Sequence, residues 1–345
     1  MTAAMAHKTI RCLLGLLVLM PAANAWGQSA GAFSRMGFGA RGMALGNALA
    51  ADARGDASPY YNPALAPQAT GQHIMASAAI MRFDREMQFV QFSTPIQPSA
   101  GLAAGLIHAG VSDIDGRDAS GYHTQTYSTD EFAFFLAFGT HLGQRVSLGV
   151  GLQLFRTDLF DEIEPVNSIG IDAGVTVDVT DRLRLAFVTD DLLARYSWDS
   201  SGLYGAEGGT TSDRFPLRLR VGASYSMMGD RLQLLAEYES RISDLEYRVR
   251  SMQRVGPVPF EAFEERRATL HEAGVRAGVE YELSEILVLR GGIDRIGNAL
   301  SGNTPSAGFE IEQPVGGLAV RVEYGLLLEP HGTGLLHLIT LRMLL

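Results

Sequence analysis

The stretch VSLGVGLQLF at residues 146–155 decides the fold class of this chain. Its aliphatic residues stand at every second position, and small or polar residues fill most of the places between them. A period of two is typical of a β-strand, whose successive side chains point to opposite faces. The same alternation recurs at residues 169–180, 217–226, 272–281 and 318–325. The sequence therefore predicts an all-β protein.

The number and length of these segments favour a barrel that spans a membrane. Most of them reach the roughly 9–11 residues that a tilted strand needs to cross a bilayer, whereas strands of soluble proteins usually have about 5–6 residues. Fourteen strands are predicted, at residues 72–83, 86–94, 100–111, 129–140, 144–157, 167–180, 183–190, 215–228, 231–243, 270–282, 285–294, 304–312, 316–327 and 335–345.

The predicted connections between strands sort by length. Those after even-numbered strands are short turns, such as residues 141–143 and 181–182. Most of those after odd-numbered strands are longer, and the longest are residues 191–214 and 244–269. An outer-membrane barrel has short turns at its periplasmic end and long loops at its extracellular end. This sorting predicts a transmembrane antiparallel β-barrel, because a sandwich has no reason to produce it.

Charged residues on the predicted strands share one face. Both signs occur on neighbouring strands, so cross-strand ion pairs and water can satisfy them. An Arg turned toward lipid at mid-bilayer would cost about 2–4 kcal/mol. Such a ladder is an ion or solute path or, more commonly, a set of paired charges that holds the barrel together. The residues predicted to face the lumen are Asp172, Asp178, Arg218, Arg220, Glu237, Glu239, Glu272, Arg276, Glu280, Arg290, Asp294, Arg321 and Glu323.

The first 25 residues have the three parts of a secretory signal peptide. Lys8 and Arg11 form the basic part, residues 13–20 the apolar part, and residues 23–25 the small-x-small pattern that precedes cleavage. We expect cleavage after Ala25 and location in the outer membrane of a Gram-negative cell. Cleavage would remove Cys12, the one cysteine, so the mature chain would have no disulfide and no thiolate ligand.

Several function classes are disfavoured. The formal net charge of −10 makes the chain a poor candidate for binding nucleic acid. The sequence has no Walker loop, zinc-protease motif, nucleophile elbow or dinucleotide fingerprint. Its eight His residues show no metal-ligand spacing along the chain, and residues 113–118 lack the full spacing of a calcium loop. We expect no enzymatic activity, no cofactor and no bound metal.

The segment after the signal peptide, residues 26–71, does not alternate and is rich in Gly and Ala. It has a possible short helix at residues 43–53 and a turn-rich stretch at residues 56–67. A barrel of this width leaves an open lumen unless something fills it. We therefore expect residues 26–71 to form a plug, or hatch, between the signal peptide at residues 1–25 and the barrel at residues 72–345.

This segment also carries a resemblance to a known family. GARGMALG at residues 39–46 and DASPYYNPALA at residues 56–66 resemble the start of PorV/PorQ-family barrels, which are relatives of the FadL/OMPP1 outer-membrane transporters. RFPLRLRVG at residues 214–222, RGG at residues 290–292 and SAGF at residues 306–309 are similar to later parts of that family. The resemblance implies a hatch motif of Tyr61, Asn62, Pro63 and Ala64, acting as a gating or ligand-contact element or as a plain turn that Pro63 pre-sets.

The resemblance leaves two functions open. PorV and PorQ take part in type IX secretion, so the leading expectation is a non-enzymatic secretion component that docks cargo proteins or machinery subunits through its long loops. The alternative is a FadL-like transporter of long-chain fatty acids or other hydrophobic molecules, which needs an apolar pocket. The charged lumen favours the first, although Phe83, Phe155 and Phe160 suit a small pocket near the rim. Gly101, Gly105 and Gly110 permit a kink that opens a lateral exit, or close packing against the hatch.

Overall fold

The computed structural model describes residues 30–54, 58–159, 163–205, 208–255, 258–298, 302–315, 318–329 and 333–345. In these ranges fourteen strands close into one antiparallel barrel, and two further strands form a separate hairpin. The predicted all-β fold with fourteen barrel strands is thus confirmed. The predicted signal peptide, with its cleavage site after Ala25, lies outside the described residues.

Each barrel strand pairs with its neighbours along the chain, and β1 closes the barrel against β16. Strand β7 pairs directly with β10, so β8 and β9 pair only with each other, outside the barrel wall. The strands are β1 (His73–Ile80), β2 (Arg85–Ile96), β3 (Ala100–Arg117), β4 (His123–His141), β5 (Val146–Asp158), β6 (Val166–Asp178), β7 (Leu183–Leu192), β8 (Arg195–Asp199), β9 (Thr210–Arg214), β10 (Leu217–Met227), β11 (Leu232–Val255), β12 (Val258–Glu282), β13 (Leu287–Ile296), β14 (Thr304–Val315), β15 (Leu318–Glu329) and β16 (Gly334–Leu344).

The long connections contain more strand than predicted. Residues 244–269 were expected to be a loop, but β11 and β12 stay paired out to Val255 and Val258. Residues 191–214 contain the β8–β9 hairpin and a short helix, Ser201–Tyr204. The alternation of apolar and polar residues ends where the strands leave the apolar layer, because both faces of the sheet then contact water. Backbone pairing needs no such alternation, so the strands continue past the predicted boundaries.

The two faces of the barrel wall have opposite polarity. Val150 on β5 and Ile171 on β6 face outward and are 56% and 38% exposed. Arg218 on β10 and Glu280 on β12 face the lumen and are 7% and 3% exposed. Since burying charged groups requires compensating partners, the interior must be paired and hydrogen-bonded.

The register shifts twice in the outer part of the β3–β4 pair, after Val111 and after Asp115, and two β-bulges lie elsewhere in the wall. The register between β6 and β7 shifts after Ile171, and the register between β12 and β13 shifts after Val275. Each bulge holds a residue with positive φ, Asp191 at 61° and Arg295 at 62°. A bulge adds a residue to one strand, so Asp190 and Asp191 are both buried side by side.

Strand β3, in contrast, is continuous where a kink was considered. Residues 100–111 pair in unbroken register with both β2 and β4. Gly101 packs against the hatch, because a Cβ there would lie 1.9 Å from the Ala66 carbonyl oxygen. Gly105 contacts the Phe135 ring in the same way, at 2.4 Å. Gly101 and Gly105 therefore serve close packing, and residues 100–111 leave no lateral opening in the wall.

The segment before β1 is mostly irregular. It has one α-helix, α1 (Ala40–Ala44), and three 3-10 turns at Ala32–Arg35, Ser58–Tyr60 and Pro63–Gln68. The helix expected at residues 43–53 is wrong, because Gly46 and Asn47 adopt positive φ values of 63° and 59° and end α1 early. Over the described residues, no helix has the length and apolar character needed to cross a bilayer.

Candidate functional site

The described residues of the segment 30–71, namely 30–54 and 58–71, lie inside the barrel and are called the hatch below. On one side its backbone approaches β5 so closely that a Cβ on Gly149 would lie 2.2 Å from the Ala64 nitrogen. On the opposite side a Cβ on Gly278 of β12 would lie 2.6 Å from the Leu45 carbonyl oxygen. Contacts of this kind come from β3, β4, β5, β6, β10, β12, β13, β14 and β15, at Gly101, Gly139, Gly149, Gly174, Gly222, Gly278, Gly292, Gly308 and Gly325.

Four residues of the hatch, Tyr61 to Ala64, are buried in its centre. Asn62 caps the 3-10 turn Pro63–Gln68, because its Oδ1 accepts a hydrogen bond from the Ala64 N–H at 2.9 Å. Its Nδ2 donates to the Ala50 carbonyl at 2.7 Å. The Tyr61 hydroxyl accepts from the Phe38 N–H at 2.9 Å. These bonds hold distant parts of the hatch together, and such a cap is typically worth about 1 kcal/mol.

One arginine of the hatch anchors it to the barrel wall. Arg41 pairs with Asp52 of the hatch at 2.5 Å and with Glu280 of β12 at 2.8 Å. Its backbone N–H donates to Glu323 of β15 at 3.3 Å. A further anchor joins the Ala50 N–H to Glu237 of β11 at 3.0 Å. Because all these groups are buried, loss of one partner would leave a charge without compensation.

The predicted lumen charges form cross-strand pairs. Arg220 of β10 binds Asp190 at 2.7 Å, and Arg218 binds the bulge residue Asp191 at 2.9 Å. Arg276 of β12 binds Asp294 at 2.8 Å. Asp172 accepts from the Asp191 N–H at 2.9 Å. The others lie in the same wall: Arg290 pairs with Glu280, Arg321 with Glu312, Asp178 with Arg184, Glu323 with Arg342, Glu237 and Glu239 with Arg276, and the half-buried Glu272 lies beside Arg276.

Some members of this network were missed at the sequence level. Asp190 and Asp191 lie next to each other, so strict alternation assigns them to opposite faces, and only the bulge turns both inward. Arg41 and Asp52 belong to the hatch, where no period indicates a face. The consecutive acidic pair at 190–191, facing the two arginines of β10, is the signal that points to the bulge.

A cavity of about 460 Å³ lies between the hatch and the long-loop end of the barrel. We call it the loop-side chamber. Phe33, Met36 and Met43 of the hatch form its floor, and Met81 and Leu336 stand among its wall residues. Charged groups line it as well: Arg85 and Glu329, which pair at 2.8 Å, with Glu131, Asp294 and Arg295. Its volume lies in the range of about 300–1,000 Å³ typical of small-molecule sites.

An aromatic cluster continues from the floor of this chamber. The Phe33 and Phe155 rings meet edge to face with centroids 6.3 Å apart, and Phe155 and Phe215 are 4.7 Å apart. Tyr196 of β8 packs on Phe215 at 4.9 Å. Phe155 is thus buried near the rim, but Phe83 is 66% exposed in the β1–β2 turn and does not join the cluster. Phe160 lies outside the described residues.

A second cavity, of about 280 Å³, lies at the short-turn end of the barrel. We call it the turn-side chamber. Its walls are mainly ionic, with Arg41, Arg54 and Arg290 facing Glu280 and Glu310. A smaller gap of about 20 Å³ lies beside Tyr61 and Arg220, where the hatch meets β10. That is room for about one water molecule.

No family description and no curated protein matches this sequence. Solved structures with the same architecture include the Pseudomonas putida toluene transporter TodX, with TM-score 0.57, 13% identity, and coverage of 89% of this chain and 96% of that chain. The CymD monoaromatic hydrocarbon channel has TM-score 0.55, 14% identity, and coverage of 89% and 96%. A Pseudomonas aeruginosa FadL homologue has TM-score 0.54, 12% identity, and coverage of 94% and 98%.

The likeness is one of fold, because these identities are low. It confirms the general part of the predicted resemblance, whereas membership of PorV/PorQ in particular stays a prediction. The chain has the fold of FadL-like outer-membrane β-barrels, with fourteen strands and an N-terminal segment that precedes them.

Proposed function

We propose that this chain is an outer-membrane channel for the uptake of hydrophobic small molecules. The observation that carries the proposal is the loop-side chamber, whose floor of Phe33, Met36 and Met43 is apolar and supplied by the hatch. Two solved barrels of the same fold are described as a toluene transporter and a monoaromatic hydrocarbon channel. This is the alternative that the sequence left open, rather than its leading expectation.

The chamber suits transient binding of varied apolar molecules. Methionine side chains are flexible and polarizable, so a floor containing two of them adapts to different shapes. A solute that buries about 150 Å² of apolar surface would gain roughly 4 kcal/mol. That gain corresponds to a dissociation constant of about 1 mM. Binding of this strength is weak enough for a molecule to enter from outside and then leave the chamber again.

Passage beyond the chamber requires the hatch to move. The gap beside Tyr61 and Arg220 is far smaller than an aromatic ring. The hatch is fixed by a small number of buried ion pairs, of which Arg41 with Glu280 is central. We infer that a shift of the hatch, rather than diffusion through an open pore, connects the loop-side chamber with the turn-side chamber. The hatch motif of Tyr61 to Ala64 and the lumen charges would then be elements that hold the closed position.

Uptake in whole cells tests the proposal. Cells that lack this gene, and cells that express it again, are given a radiolabelled aromatic hydrocarbon or long-chain fatty acid. We expect uptake to fall on deletion and to return on re-expression, with the set of surface-attached proteins unchanged. Normal uptake in the deletion strain would contradict the proposal.

A secretion component of the PorV/PorQ type is the second candidate, and one observation favours it. Strands β11 and β12 continue past their neighbours, which end their pairing at Ile242 and Val275, to form a two-stranded ribbon. Such a ribbon offers a docking surface for secreted cargo or machinery subunits. Loss of surface-attached proteins in the deletion strain, with normal uptake, would support this candidate instead.

A further inference from the structure

Three potential metal ligands meet on the outward face of the barrel wall, in the part that also borders the loop-side chamber. Glu86 of β2, His108 of β3 and Asp130 of β4 place one ligand atom each within 4.8 Å of one another. Within the described residues, this is the one group of three or more such side chains that is close enough to share an ion. Glu86 and Asp130 stand on either side of Gly110 in the cross-strand register. Because Gly110 has no side chain, the Asp130 carboxylate and the His108 ring can lie over it: a Cβ there would be 3.1 Å from the Asp130 Oδ1 and 3.5 Å from the His108 Nε2.

The hydrogen bonds around Gln88 fix the orientation of this group. The Gln88 Nε2 donates to a Glu86 carboxylate oxygen at 3.0 Å. Its Oε1 therefore faces the His108 Nδ1, at 2.5 Å. Since a carbonyl oxygen only accepts, the His108 Nδ1 must carry a hydrogen and donate it. A glutamine in this position resembles the outer partners that orient metal-binding histidines, which donate their second N–H to such an acceptor.

That assignment leaves an unusual contact on the other side of the ring. In a neutral imidazole with hydrogen on Nδ1, the Nε2 is an acceptor with a free lone pair. The His108 Nε2 nevertheless lies 2.7 Å from the Asp130 Oδ1, which is also an acceptor. At this distance the two atoms need a proton between them, as in an imidazolium–carboxylate pair, or a metal ion beside them. The Glu86 carboxylate lies at the same place and adds a second negative charge.

The charged residues around the group are mainly acidic, with Arg156 of β5, across from Phe132, as a cationic neighbour. Asp158 of β5 lies directly across from Asp130 in the register, and like charges in such positions repel. Thus Glu86, Asp130 and Asp158 share one cross-strand row. Phe132 of β4 lies directly across from His108 in the register, and the two rings stack with centroids 4.6 Å apart. Stacking and the Gln88 hydrogen bond hold the ring rigid, which lowers the cost of ordering a ligand.

The group lies at the border of the apolar surface. The adjacent row of outward-facing residues, nearer the middle of the barrel wall, consists of Val90 of β2, Leu106 of β3 and Phe134 of β4, and all three are exposed. In the other direction, the strands run toward the long loops. The three ligands therefore stand at the edge of the apolar layer on the long-loop side, where the side-chain oxygens meet the polar head groups rather than hydrocarbon.

We propose that Glu86, His108 and Asp130 bind a divalent cation of the Zn²⁺ class on the outer face of the barrel. One imidazole and two carboxylates match the nitrogen and oxygen ligands of Zn²⁺, whereas Mg²⁺ and Ca²⁺ prefer oxygen alone. With three protein ligands, the ion keeps a fourth coordination position for water or a phosphate oxygen. The proposal does not rest on the uptake function, because binding of the cation requires no movement of the hatch.

Calorimetric titration of ZnCl₂ tests this proposal. The full-length protein is used after removal of any affinity tag, in a detergent and buffer without phosphate. We expect one Zn²⁺ per chain, with affinity at least about 100-fold weaker in His108→Gln and Asp130→Asn. Gln88→Ala, which removes only the orienting partner, should weaken binding by about 10- to 100-fold. Anomalous diffraction at the zinc edge should place the ion between Glu86, His108 and Asp130.

The matched control is His337→Gln. His337 also faces outward, on β16, but its Nδ1 contacts the Tyr324 hydroxyl at 2.7 Å instead of a carboxylate. Zinc binding should be unchanged in this variant. Equal zinc affinity in the wild type and in His108→Gln would overturn the proposal, and so would binding of Mg²⁺ as tight as that of Zn²⁺. Heat-dependent gel mobility, which reports the folded barrel, ensures that each variant compared is folded.

Discussion

The two chambers of the lumen differ in chemistry although one barrel wall surrounds both. The loop-side chamber has a floor of Phe33, Met36 and Met43 and a volume of about 460 Å³. The turn-side chamber is smaller, at about 280 Å³, and its walls are mostly Arg and Glu side chains. The hatch separates them and contributes to each, with its apolar residues on one side and with Arg41 on the other.

This difference indicates a direction of use. An apolar molecule gains free energy on entering the loop-side chamber, because it leaves water for apolar side chains. It gains little in the turn-side chamber, whose walls are mostly charged side chains. The hatch therefore stands where an apolar molecule would stop, and its anchors decide whether the molecule goes further. Two kinds of variant test this difference between the chambers: those that connect the two chambers and those that change only one of them.

The largest effect is expected from Arg41→Met. It removes the arginine that pairs with the buried Asp52 and one of the two arginines that bind Glu280, the other being Arg290. Removal of one partner from a buried ion pair typically costs about 3–5 kcal/mol. We expect the hatch to lose its fixed position and the two chambers to connect. Conductance of the protein in a planar lipid bilayer should then rise from near zero to that of an open pore.

Arg54→Met is the control for this variant. Arg54 also lies near Glu280, but at 3.8 Å and with 22% of its side chain exposed. Conductance of bilayers that contain Arg54→Met should stay near zero. If the folded Arg41→Met variant also gave no conductance, Arg41 would not be the residue that holds the hatch.

A pair of alanine substitutions on β12 should separate hatch packing from strand stability. A Cβ on Gly278 would lie 2.6 Å from the Leu45 carbonyl oxygen of the hatch, whereas one on Gly274 meets nothing closer than 3.6 Å. Overpacking typically costs about 1–3 kcal/mol. We expect Gly278→Ala to make the hatch sensitive to protease and Gly274→Ala to leave it resistant. Equal resistance of the two variants would argue that the hatch lies loosely in the lumen.

Filling the loop-side chamber should reduce uptake without moving the hatch. Ala109 lines the chamber, whereas Ala104 on the same strand faces outward, between Phe92 and Leu136. We expect Ala109→Trp to lower the rate of hydrocarbon uptake several-fold and Ala104→Trp to leave it unchanged. If both variants transported at the wild-type rate, the chamber would not lie on the path.

The smallest effect is expected in the turn-side chamber. Arg321 and Glu312 form a 2.7 Å pair there, but their side chains are 34% and 37% exposed. Exposed pairs contribute about 0–1 kcal/mol, so Glu312→Gln should change the unfolding midpoint little and uptake by less than about two-fold. A large loss of uptake would mean that this wet chamber recognises the solute directly.

The barrel itself was predictable because lipid outside and water inside impose a period of two on each strand. The same period assigned Arg218, Arg276 and Glu280 to one face. It failed where the lipid constraint ends, so residues 244–269 were predicted as a loop although β11 and β12 remain paired. It also failed at Asp190 and Asp191, because a bulge breaks the period.

The chamber and the metal ligands were beyond this kind of inference for another reason. The loop-side chamber combines hatch residues such as Met36 with Met81, which follows β1, and Leu336 of β16. Glu86, His108 and Asp130 are separated by 22 residues at each step, so no local metal-ligand spacing exists. Only the cross-strand register brings them together, and the expectation that no metal binds considered spacing along the chain alone.

The most direct test of the uptake account is the position of an apolar molecule in the lumen. Crystals of the wild-type protein soaked with bromobenzene, measured at the bromine edge, locate the solute without any assumption about its path. We expect an anomalous peak in contact with Met36, Met81 and Leu336, on the long-loop side of the hatch. Bromine peaks confined to the outer apolar surface, with the chamber filled by ordered water, would contradict the account.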